Sequence, residues 1–209
     1  MKENFSEVET RIKRYWYVDG FGELVGGGGM CLILAIYFAA GEYFGDQSFI
    51  GGLLSSTMAL VLIGGFFLVR RIINAAKERV TYPRTGYVEY PDAQRKIPSA
   101  IFAAIGGALL AAIFVSMVRR FDSVDALVAI SGIVMSLILS GKQLWSTRVR
   151  RFYLLSGAAL IYGLALAISG LPRGYNLGLF YALMSLSFAV SGGLTLKKYL
   201  DENPLQPDL

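Results

Sequence analysis

The chain has 209 residues, 55% of them hydrophobic, with 20 Lys and Arg against 15 Asp and Glu and a formal charge of +5. Soluble domains are about 45–50% apolar, so the excess points to lipid rather than to a free-standing globule. Histidine is absent and Cys31 is the one cysteine, which excludes Ser–His hydrolysis, His-ligated zinc, a disulfide framework and an intramolecular thiol–disulfide exchange pair.

Residues 4–16 predict a helix lying on a membrane surface. Phe5, Val8, Ile12 and Tyr15 form one apolar stripe, and Ser6 with Glu9 fits a capping box. Trp16 and Tyr17 follow as headgroup-level aromatics. Residues 1–20 are read as this interfacial unit. A cleaved signal peptide is not expected, because the start is mixed in charge and the first apolar stretch is too long.

Apolar stretches follow near 21–40, 49–69, 98–118, 124–140, 152–169 and 176–196. Each is about twenty residues, which at ~1.5 Å per residue matches a bilayer core of ~30 Å. The expected fold is all-α and membrane-embedded: six transmembrane helices in three antiparallel hairpins over 21–199, with a tail at 200–209. Gly64-Gly65 closing the second stretch and Gly192-Gly193 closing the sixth fit either a repeated hairpin or the ordinary frequency of Gly in spanning helices.

The loop 70–97 is the one sizeable connection. Val80, Thr81 and Tyr82, then Pro83-Arg84-Thr85-Gly86, then Tyr87 and Val88 read as a short cytoplasmic β-hairpin with Tyr82 opposite Tyr87. Seventeen of the twenty Lys and Arg fall in the amino-terminal segment, this loop, the 141–151 loop and the tail. That asymmetry places both termini and these loops in the cytoplasm, and it explains the basic charge without nucleic acid.

The middles of the stretches carry no ionisable residue, so a proton or sodium relay is hard to build. No phosphate loop and no catalytic constellation is present, and no enzyme activity, metal or cofactor is expected. Ser55, Ser56, Thr57, Ser116, Ser131, Ser136, Tyr162 and Tyr181 could line a neutral path, but helix packing is the stronger reading. Gly26, Gly27, Gly28 and Gly29 mark close packing or a hinge in the first stretch. Glu23, near its start, needs a cation if buried, and Arg84 or Arg148 is the expected partner.

Arg14-Tyr-Trp-Tyr-Val-Asp-Gly20 and Tyr82-Pro-Arg-Thr-Gly-Tyr87 resemble strings in a group of small, uncharacterised bacterial six-span membrane proteins. The resemblance implies a bacterial inner-membrane protein and brings no agreed activity. It also implies one cytoplasmic docking feature built from Tyr15, Trp16, Asp19, Tyr82, Arg84 and Tyr87. The expected function is a non-catalytic scaffold, accessory subunit or regulator, acting through this basic, aromatic face. Its partners would be the bilayer, anionic headgroups and a protein or second copy. The alternative is a small transporter or channel for a neutral or lipid-like solute.

Overall fold

Gly22–Gly28 is a π-helix, and it passes without a break into α1, Gly29–Phe44. Each Gly weakens an α-helix by roughly 1 kcal/mol relative to Ala, so tertiary packing sets the form of this segment. The computed structural model describes residues 18–45, 49–85, 124–142, 149–171 and 173–204. The helices that follow are α2 (Phe49–Val80), the single turn α3 (Tyr82–Thr85), α4 (Val124–Lys142), α5 (Arg151–Ala167) and α6 (Arg173–Glu202).

α6 is the centre of the bundle. The π segment and α1 lie along one side of it, and α5 and α4 along another, while α2 packs outside α1. The most extensive pairings are α4 with α5 and α1 with α6, ahead of the sequential pair α1–α2. Small residues cause this choice. A Cβ at Gly132 of α4 would stand 2.7 Å from the Ala159 carbonyl oxygen and the Gly163 Cα of α5, so those backbones touch. A Cβ at Gly27 would stand 2.6 Å from the Phe188 ring of α6. Between the helices Cys31, Val128, Phe152, Leu155, Phe180 and Met184 belong to one continuous apolar core.

The six-span expectation is corrected. Among the described residues two helices are long and apolar enough to cross a membrane, Gly22–Phe44 and Tyr175–Glu202. Arg151–Ala167 has 17 residues, about 25 Å against a core of ~30 Å. Ala126–Gly141 is likewise apolar but short. The stretch expected at 49–69 is the first part of a 32-residue helix that continues through Arg70, Arg71, Lys77, Glu78 and Arg79. The 98–118 stretch and the interfacial helix at 4–16 lie outside the described residues. Apolar length alone does not separate a spanning helix from one that only packs in a bundle.

The β-hairpin is corrected as well: the described residues contain no strand. Thr81 N–H donates to the Lys77 carbonyl and Arg84 N–H to that of Thr81, so the backbone stays helical to Thr85. Pro83 sits in the first turn of α3, where its missing N–H breaks no helical bond. β-Propensity at Val80, Thr81 and Tyr82 is overridden by a distant contact: the Thr81 hydroxyl donates to Asp19 Oδ2 at 3.2 Å. Residues 86–97, including Tyr87, lie outside the described residues.

Candidate functional site

Asp19 and Glu23 are four residues apart, and both are buried. This spacing brings two carboxylates to one stretch of the chain's entry into the bundle, and different helices answer them. Asp19 Oδ1 accepts the Phe21 N–H at 3.2 Å, turning the chain ahead of the π segment. Its Oδ2 meets Lys77 Nζ of α2 at 3.0 Å as well as Thr81. Glu23 Oε1 accepts from Arg151 Nε, at the first residue of α5, at 2.5 Å. Its Oε2 accepts from Ser191 Oγ of α6 at 2.6 Å.

The cluster holds because the backbone lets α6 come close. Gly20 has φ +74°, and a Cβ there would run into the Gly192 carbonyl oxygen. A Cβ at Gly192 would stand 2.5 Å from the Leu24 amide nitrogen. With both positions bare, Ser191 reaches Glu23. Further along, Ser185 Oγ donates to the Gly28 carbonyl at 2.8 Å and ties the glycine run to α6.

These contacts define one end of the bundle. The start of the π segment, the carboxyl ends of α2 and α6 and the amino end of α5 meet there. Arg79, Arg150, Lys197 and Lys198 are exposed on these same helix ends, while Arg70 and Arg71 are exposed further back along α2, beside Val69 and Ile73. Beside the Glu23–Arg151 pair a cleft of about 220 Å³ is lined by Val18, Val149, Arg151, Thr195, Lys198, Tyr199 and Glu202.

The expected ion pair of Glu23 falls to Arg151, not to Arg84. The Arg84 Nη1 donates to the Val80 carbonyl at 2.8 Å, which folds the side chain back on its own helix. Arg84 Nε is buried and has no hydrogen-bond partner. Arg148 lies outside the described residues. Of the docking group, Asp19 and the turn carrying Tyr82 and Arg84 are brought together through Thr81; Tyr15, Trp16 and Tyr87 lie outside the described residues. Gly27 and Gly28 sit against α6, while Gly26 and Gly29 face Ile73 and Val69 of α2.

Lys77, Thr81, Arg151 and Ser191 were missed as site residues. The Asp19–Glu23 spacing was the usable signal, since carboxylates that enter a bundle together need cations from it. Of the hydroxyls considered as a path, Ser136 and Tyr162 bond within the bundle, and Ser131 Oγ is buried with no hydrogen-bond partner among the described residues. Ser136 and Ser156 pair at 2.8 Å, Ser156 also donates to the Ser136 carbonyl, and Tyr162 meets Ser187 at 3.2 Å. Among the described residues no group of three or more His, Cys, Asp or Glu could hold a metal. No protein-family model, no curated protein and no solved structure matches this chain.

Proposed function

We propose that the protein is a non-catalytic membrane component, held in lipid by the flanks of its bundle and acting through the ionic end as a scaffold or regulatory subunit. The observation that carries the reading is the separation of surface chemistry between flank and end. Only 17% of the apolar window in Gly22–Phe44 and 33% of that in Tyr175–Glu202 is buried. The core helix of a water-soluble protein would be mostly covered. Leu32 and Ile36 of α1, Phe66 and Phe67 of α2, Leu154 and Ile161 of α5, and Leu186 and Leu194 of α6 are exposed. An apolar surface spread over so many helices calls for a non-aqueous solvent. Arg79, Arg150, Lys197 and Lys198, in contrast, sit exposed on the ends where the buried carboxylates are paired.

The ionic end faces the cytoplasm in this reading, by the location of Lys and Arg. Recognition there uses Arg79, Arg150 and Lys197 as free charges, and the turn of α3 supplies Tyr82 and Arg84. The paired hydroxyls inside the bundle support a scaffold over a solute path.

Photo-crosslinkers placed in native membranes test both halves. Positions 79, 150 and 197 are expected to give protein adducts, and positions 36, 154 and 186 lipid adducts. Ionic-end probes that capture no protein refute the docking role. Flank probes that react with water-soluble reagents refute the membrane location.

A further inference from the structure

The cleft beside the Glu23–Arg151 pair is amphiphilic. Arg151 from α5 and Lys198 from α6 supply two cations from different helices. Thr195 and Tyr199 add polar groups to the lining, and Val18 and Val149 add apolar ones. Glu202 is the one acid in the lining, and it pairs with Lys198 at 3.7 Å, with both side chains exposed. Such an exposed pair is weak and exchanges readily for a better anion. Arg151 is held differently: Glu23 fixes its Nε, so the guanidinium stays at the cleft wall and does not swing into solvent. A fixed Arg and a movable Lys facing one space suit a phosphate, to which both bring charge-assisted N–H donors. The volume of about 220 Å³ equals roughly seven waters, enough for a phosphodiester and the glycerol carbons next to it.

We infer that this cleft binds the phosphate of an anionic phospholipid, with Arg151 and Lys198 on the phosphate oxygens and Val18 and Val149 against the glycerol and first acyl carbons. Basic pockets between helices at the cytoplasmic edge are the usual seats of such headgroups. The two valines favour a lipid over free phosphate, because inorganic phosphate gains nothing from apolar carbon. The inference rests on the proposed membrane location and names the lipid class that the ionic end recognises.

Titration of the full chain in neutral detergent with phosphatidylglycerol, read by native mass spectrometry, tests it. Lys198→Glu is expected to weaken lipid binding about thirtyfold, since each charge near the surface counts for ~1 kcal/mol and this change shifts the charge by two. Lys197→Glu makes the same charge change one residue away, outside the cleft, and should weaken binding several-fold less than Lys198→Glu. Glu202→Gln should tighten it. All three positions are exposed, so folding is preserved. Equal losses for Lys198→Glu and Lys197→Glu would overturn the site in favour of diffuse surface charge. Displacement of the lipid by millimolar inorganic phosphate would overturn the lipid assignment. A separate flotation assay isolates the underlying reading: a wild-type chain that floats with neither neutral nor anionic vesicles refutes the membrane location itself.

Discussion

Removing Arg151 should damage the fold more than removing the charge of Glu23, although the two form one ion pair. The side chain of Glu23 is 1% exposed and that of Arg151 25% exposed. In Arg151→Met the carboxylate stays inside, with the Ser191 hydroxyl still donating to it at 2.6 Å. Stranding one member of a buried pair costs about 3–5 kcal/mol, and the single hydroxyl bond places this case near 3. In Glu23→Gln the amide oxygen still accepts hydrogen bonds, and Arg151 has an exposed edge from which to reach water, so the loss is about 1 kcal/mol. The double change Glu23→Leu with Arg151→Met replaces both charges by apolar groups of similar size and should cost less than Arg151→Met alone. Unfolding in mixed micelles, followed by helical circular dichroism as a double-mutant cycle, measures all these terms. If Glu23→Gln proves the more costly single change, or if the paired changes simply add, then Glu23 is not a charge held by Arg151 and the reasoning fails.

Three other outcomes follow from the packing. Gly192→Ala meets the Leu24 backbone nitrogen at 2.5 Å and should destabilise by about 3 kcal/mol or lose expression, while Gly193→Ala meets nothing within 4 Å and should be within about 0.5 kcal/mol of the parent; thermal unfolding of the two side by side decides. Cys31 is buried in the core, so a maleimide should label it only on unfolding. Gly27→Ala should raise the labelling rate by displacing Phe188, and rapid labelling of the unaltered chain would contradict the α1–α6 packing. Asn176 is buried, and its Nδ2 donates to the Leu166 carbonyl at 2.9 Å where α5 ends. Asn176→Leu should cost about 1 kcal/mol by losing that bond, because the Leu166 carbonyl still accepts from the Ser169 amide and hydroxyl, and an unchanged melting midpoint would show that the amide adds nothing to them.

The amino-acid order alone carried the apolar, helical character of the chain, the lack of His- or Cys-based chemistry and the sorting of cations into a few segments. Each of these depends on residue type or on neighbours within a few positions. Glu23 was readable as a buried carboxylate in need of a cation, because a charge beside an apolar run has few other ways to exist.

Its partner was not readable, and neither was the count of helices able to cross a membrane. Arg151 lies 128 positions from Glu23 and Thr81 lies 62 from Asp19. No local pattern ranks Arg151 above Arg84 for this contact; the meeting of the amino end of α5 with the π segment decides it. The same kind of distant contact keeps Tyr82–Thr85 helical against its β-propensity. Apolar composition supplies the driving force to leave water, but the length over which a helix stays straight and apolar, and the face it gives to its neighbours, are set by packing. Local chemistry therefore determined the apolar, helical character and the residue classes, and tertiary contact alone decided which charges meet, which helices pair and where the chain turns.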